Sequence, residues 1–114
     1  MNKERTFLQH IFDQTEIITD IVGTLSWDEF SSSALYQYAV MRALEIIGEA
    51  AKHISEETRV QYPHIAFREM AGLRDRLIHG YFSVDNLRVW EIVQHDIPEL
   101  AEQLRVILPD FDNE

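Results

Sequence analysis

Cysteine is absent from the chain, which excludes a disulfide framework, a thiolate metal site and a cysteine nucleophile. Glycine and proline are scarce, at four and three residues, so a collagen-like or disordered chain is excluded and a helical one is favoured. No apolar run approaches the roughly 20 residues of a membrane span. The opening Met1-Asn2-Lys3-Glu4-Arg5 carries both signs of charge, unlike a secretory signal, and the expected location is cytoplasmic, away from membranes. Basic residues are in short supply: 10 Lys and Arg stand against 20 Asp and Glu, a formal net charge of −10. That balance speaks against a general nucleic-acid binder, whose affinity comes mostly from phosphate neutralisation. There is no Gly-rich phosphate loop, nucleophile elbow or dinucleotide fingerprint. His10, His53, His64 and His95 lack metal-ligand spacing, so neither a metal nor a cofactor is expected.

What is present is an apolar content of 46%, enough for one core in one domain spanning residues 1–114. A core of that size gains from a partner surface, so a homodimer is expected. Phe7, Leu8, Ile11, Phe12, Ile18, Ile21 and Val22 recur at helical spacing and predict a helix over about residues 3–23, ended by Gly23. Ser26-Trp27-Asp28-Glu29 has capping-box form and starts a short turn, with Trp27 and Phe30 covering one end of the core. Ser31-Ser32-Ser33 caps a second long helix on which Leu35, Val40, Leu44, Ile47, Ala51 and Ile54 keep the helical period. Gly48 interrupts it at a cost of about 1 kcal/mol against alanine, which marks a close approach by a neighbouring helix.

Ser55-Glu56-Glu57-Thr58 opens a short helix that Tyr62-Pro63 ends. The next helix runs from about Ala66 to His79 and offers Phe67, Met70, Leu73, Leu77 and Ile78 to the core. Asp85 caps the last helix, with Val84 and Val89 as a hydrophobic staple. Trp90, Val93, Ile97, Leu100, Leu104 and Ile107 then form a packing seam that Pro98 should kink, with Asp96 capping the continuation. Pro109 ends the pattern before a loose tail. The acidic run from Glu91 onward fits either a solvated face or a docking surface for a basic partner.

The densest chemistry lies in Met70-Ala71-Gly72-Leu73-Arg74-Asp75-Arg76-Leu77-Ile78-His79-Gly80-Tyr81-Phe82-Ser83-Val84-Asp85. Arg74 falls within the apolar arc of its helix, where a permanent cation must be paired or face a cleft. A guanidinium fork matches phosphate oxygens, and an imidazole exchanges protons near neutral pH. Together they suit phosphodiester cleavage without a metal. Residues five apart on a continuous helix are nevertheless rotated by roughly 140° and displaced by about 7.5 Å. Either Gly80 ends the helix and redirects His79 and Tyr81, or two copies meet across a twofold axis and form one composite cleft. Spacing alone also fits a surface Arg, a capping His and a half-buried Tyr. Arg42, Glu45, Glu49 and Lys52 make a charged stripe that is either a solvated face or a support placing Glu49 or Glu45 beside Arg74.

Arg74, four residues, His79, one residue, Tyr81, with Ala71-Gly72-Leu73 before and Phe82-Ser83-Val84-Asp85 after, resembles the signature of the HEPN superfamily, in particular its HepT-like ribonuclease toxins. Leu44-Glu45-Ile46-Ile47-Gly48-Glu49-Ala50-Ala51-Lys52 is similar to another helix of those proteins. The resemblance implies an all-α, mostly antiparallel helical bundle that forms a homodimer. It implies an RNA substrate cut without a metal, with Arg74 and His79 catalytic and Asp75 a polar helper. It also implies that Tyr81 is adenylylated by a cognate minimal nucleotidyltransferase antitoxin. The alternative is a non-catalytic helical module that binds a nucleotidyltransferase partner and its nucleotide, with Arg74 and His79 contacting phosphate only.

Overall fold

The structure, a computed structural model, describes residues 3–79 and 85–112, and every described regular element is helical. In chain order the helices are α1 (Lys3–Val22), α2 (Trp27–Ser31), α3 (Ala34–Lys52), α4 (Glu56–Gln61), α5 (Phe67–His79), α6 (Asn86–Glu91) and α7 (Ile97–Ile107). A π-helical turn, Ile92–Asp96, joins α6 to α7, and a 3₁₀ turn, Leu108–Phe111, follows α7. The fold is an all-α bundle in which α3 is central, packed between α1 and α5, while α7 closes on α1. Among the described residues no helix is long and apolar enough to cross a membrane.

The caps fall where side-chain chemistry puts them. Ser26 and Glu29 make both halves of a capping box, Ser33 caps α3 through the Tyr36 amide, and Ser55 caps α4 through the Thr58 amide. The Asp85 carboxylate accepts from the Leu87 and Arg88 amides at the start of α6. Each such cap stabilises its helix by about 1 kcal/mol. The Val84 half of the expected staple and the Gly80 helix stop lie outside the described residues.

The core takes Leu8, Ile11, Ile18 and Val22 from α1, and Val40, Leu44, Ile47 and Ala51 from α3. Thr15 is also fully buried, and its hydroxyl is satisfied by donating to the Phe12 carbonyl at 2.6 Å. Phe30 is buried beneath Trp90, with ring centroids 5.1 Å apart, and Trp27 packs at 6.1 Å from Trp90, so these aromatics close one end as expected. Two expected core residues face outward. Leu35 lies in the first turn of α3, before its first buried position, and is 75% exposed; Ile78 is 39% exposed because it shares the cleft-facing side of α5 with Arg74.

Two further expectations are corrected at the C-terminal end. Asp96 does not cap a restarted helix: its backbone is helical and its side chain makes no cap bond. A π turn lies just before Pro98, and in it the Ile97 amide donates to the Ile92 carbonyl. Residues 108–112 are not loose either. Leu108 and Phe111 join the core, Tyr62 donates to Asp110 at 2.8 Å, and Arg5 pairs with Asp112 at 2.9 Å.

Gly48 has the close neighbour that its position in the sequence implies. A Cβ built there would lie 2.2 Å from the Cβ of Arg74 and 2.6 Å from the Met70 carbonyl oxygen. Neither atom is the flexible end of a side chain, so any residue with a Cβ forces α3 and α5 apart. Alanine would gain about 1 kcal/mol in helix propensity, whereas overpacking of this kind costs about 1–3 kcal/mol. Gly48→Ala is therefore expected to lower the urea midpoint with the m-value unchanged. A midpoint equal to or above that of the parent would show that the helices do not meet this closely.

Candidate active site

Arg74 leaves α5 at the point where that helix crosses Gly48. The contact fixes the root of its side chain, and two carboxylates fix the other end. Nη2 lies 3.2 Å from Glu49 on α3, and Nη1 lies 3.2 Å from Asp75. The side chain is one-quarter exposed, so the Asp75 hydrogen bond and the Glu49 ion pair act in partly screened surroundings, where they hold geometry better than they add stability. Nη1 keeps a second N–H, and neither Nη2 nor Nε makes a hydrogen bond among the described residues. The guanidinium is positioned yet still able to donate to an incoming anion.

Asp75 sits between two cations. Lys52 at the end of α3 donates to its carboxylate at 2.7 Å, and Arg74 donates to the same oxygen at 3.2 Å. First Lys52 and then Arg74 hold this carboxyl below its ordinary 3.8, by hydrogen bonding more than by through-space attraction. Glu49 likewise reaches two groups, with Arg74 on one oxygen and the His53 ring 3.6 Å from the other. His53 stacks on Phe7 with centroids 4.6 Å apart. Phe7, His53, Glu49 and Arg74 together line a cleft of about 240 Å³ between α1, α3 and α5.

His79 closes α5. Its Nδ1 lies 3.0 Å from the Asp75 carbonyl, an obligate acceptor, so Nδ1 carries the hydrogen and Nε2 presents its lone pair on an exposed ring. The helix is continuous through His79, which sets Arg74 and His79 roughly 140° apart. No hydrogen bond joins them among the described residues. The structure therefore brings Arg74 and Asp75 together and leaves His79 separate, while Tyr81 lies outside the described residues. Lys52 was missed as a partner of Asp75, although its place one turn after Glu49 on the charged stripe was the available signal. No three His, Asp or Glu converge to hold a metal among the described residues.

The Asp75 shift carries a sign. A carboxylate held low contributes stability at and above its unfolded pKa, and loses it as pH falls through the lower folded value. The Lys52–Asp75–Arg74 links should therefore persist through mildly acid solution and open only below 3.8. Carbon-detected NMR titration of Asp75 is expected to show this, and Lys52→Met is expected to raise its pKa more than Arg74→Met does. The reverse order would mean that the Lys52 bond is not the leading cause.

Comparison with known proteins was informative. The family model described as Ribonuclease HepT-like matches residues 11–107. Two Methanocaldococcus jannaschii proteins, each bearing the name "Putative RNase", are 42% identical over 108 residues; the match covers 95% of this chain and 89% and 93% of theirs. A Thermococcus cleftensis protein named "Probable ribonuclease HepT" is 42% identical over 104 residues, covering 89% of this chain and 94% of its own. No solved structure gave a significant match. With the family match extending over α3, α5 and the Arg74–His79 segment between two packed carboxylates and an exposed imidazole, the chain belongs to the HepT-like ribonuclease family.

Proposed function

We propose that this ribonuclease cuts RNA internally and without a metal, with Arg74 and His79 as its catalytic residues and Asp75 positioning Arg74. The observation that carries the reading is the state of Arg74: rooted against Gly48, held by Glu49 and Asp75, and still holding free N–H donors. His79 adds an exposed Nε2 at the end of the same helix. In the reaction the 2′-hydroxyl attacks the neighbouring phosphorus and its proton passes to an imidazole. The bond to the 5′ oxygen breaks, and that oxygen leaves with a proton from a second acid. Arg74 stabilises the charge on the five-coordinate phosphorus. The products are a 2′,3′-cyclic phosphate and a 5′-hydroxyl.

The helical separation of Arg74 and His79 favours a homodimer in which two copies of α5 face one cleft, supplying two imidazoles, one as base and one as acid. Leu35 and Tyr38 on α3, Ile78 within the motif and Leu87 after it are exposed apolar side chains suited to such a contact. The chain would act as the toxin of a toxin–antitoxin pair. Its antitoxin, a nucleotidyltransferase, would transfer AMP to the Tyr81 hydroxyl, and the added phosphate would compete with RNA for the guanidinium.

Incubation with RNA in EDTA is expected to give fragments ending in 2′,3′-cyclic phosphate, and Arg74→Ala or His79→Ala to slow cleavage by about 100-fold or more. Loss of cleavage in EDTA with recovery on adding magnesium would overturn the metal-free scheme. An unmodified preparation that cuts no RNA, yet takes up AMP, would favour the non-catalytic module. Adenylylation is checked by mass: ATP and the cognate nucleotidyltransferase should add one AMP to the wild type and none to Tyr81→Phe.

A further inference from the structure

The flank of α5 opposite Arg74 borders a second, larger cleft, of about 320 Å³, between α5 and the α6–π turn–α7 arm. Its floor is apolar, built from Leu44, Ile47, Met70, Leu73, Ile97 and Leu100. Its rim is charged, and the charges are sorted along its length. The connection between α5 and α6 spans only residues 80–85, which puts Arg76 and Arg88 at one end. Gln103 on α7 donates to the His64 carbonyl just ahead of α5 at 3.4 Å, so α7 runs back along α5 and puts Glu69 and Glu99 at the other end. Asp96 lies between them on the arm.

In a chain with twice as many acids as bases, Arg76 and Arg88 make no ion pair among the described residues. Arg76 lies three residues before His79 on α5, so this end of the cleft leads toward the imidazole. The π turn Ile92–Asp96 contributes Ile92 and Asp96 to the lining, a local irregularity of the kind that often occurs where a helix borders a ligand.

Resting on the ribonuclease reading above, we propose that this cleft is a nucleotide subsite for the RNA strand: it takes one nucleotide next to the cleaved bond, with phosphate toward Arg76 and Arg88 and a base bearing an exocyclic amino group toward Glu69 and Glu99. The volume lies at the lower end of the range of about 300–1,000 Å³ for ligand pockets, which admits one nucleotide and not a longer segment. Glu69 and Arg76 leave α5 about two turns apart, and Arg76 Nη1 folds back beside Gly72, which keeps the guanidinium within the length of one nucleotide from Glu69. The apolar floor receives the flat face of the base. Guanidinium groups are suited to phosphate oxygens, and a carboxylate accepts from the N–H groups of guanine, adenine or cytosine, as it does from cytosine in DNA recognition. An inorganic anion would use only one end, and an apolar peptide would leave both arginines unsatisfied.

The test uses the full chain, with the methyl signals of Leu73 and Leu100 as reporters of cleft occupancy, titrated with AMP, GMP, CMP, UMP and inorganic phosphate. The three amino-bearing monophosphates are expected to shift both leucines and to bind more tightly than UMP or phosphate. Arg88→Gln, on an exposed position of α6, should weaken AMP roughly tenfold, the loss of one charge-assisted contact. Glu99→Gln should remove the preference over UMP. In RNA cleavage Arg88→Gln should raise KM and leave kcat in place, whereas His79→Ala should abolish kcat. No shift at Leu73 and Leu100, equal binding of phosphate and AMP, or an unchanged KM in Arg88→Gln would overturn the subsite while leaving the ribonuclease reading intact. If the wild type cleaves no RNA but AMP still occupies the cleft in an Arg88-dependent way, the ribonuclease reading fails and the nucleotide site stands.

Discussion

The contact of α3 with α5 at Gly48 is the constraint from which the site follows. With the Arg74 Cβ and the Met70 carbonyl both pressed against a residue that has no side chain, α5 can neither roll nor slide without losing van der Waals contact or colliding with α3. Everything carried by α5 inherits that precision. Glu49, one residue after Gly48, is thereby within reach of the Arg74 guanidinium, and Lys52, one turn further, is within reach of Asp75. A helix pair separated by ordinary side chains would place these charges several ångströms farther apart, where water would screen them.

The resulting charge arrangement is balanced: Arg74 and Lys52 face Glu49 and Asp75, so the cluster is close to neutral within an acidic protein. Long-range attraction of a polyanion is therefore weak, and the field that matters is local and short in range at physiological salt. Recognition of a phosphate in such a protein depends on a few donors held in fixed directions. Nonspecific binding of nucleic acid depends on surplus positive charge that this chain lacks.

Much of this was legible in the amino-acid order. Serine caps announced themselves through an acid or an apolar run following at fixed spacing, and the glycine inside a good helix former pointed to the packing of α3 on α5. The pairing of Glu49 with Arg74 could be read as one of two options from the charged stripe. Local patterns did not reveal which side of a helix end is covered, so Leu35 and Ile78 were assigned to a core that does not extend to them. They also did not reveal Thr15 as a core residue, since its hydroxyl is satisfied by its own helix and leaves no partner to find. The tail reads as loose by composition, yet Phe111 is an anchor whose burial outweighs the acidic residues around it. Ahead of Pro98 the chain makes a π turn within the helix, and Asp96 forms no new cap.

That upstream turn has a consequence for how the family can vary. Across Ile92–Asp96 the chain spends one more residue per turn than an α-helix, which offsets α7 from α6 by about 100° of rotation. Val89 before the turn, Ile92 and Val93 within it, and Ile97, Leu100 and Leu104 after it are all buried. The turn acts as a frame shift written into one helix. Removing one residue there would let the arm run as a plain α-helix with the α7 seam still turned toward α1, because the lost residue and the lost offset cancel, so relatives can gain or lose that residue without rebuilding the seam.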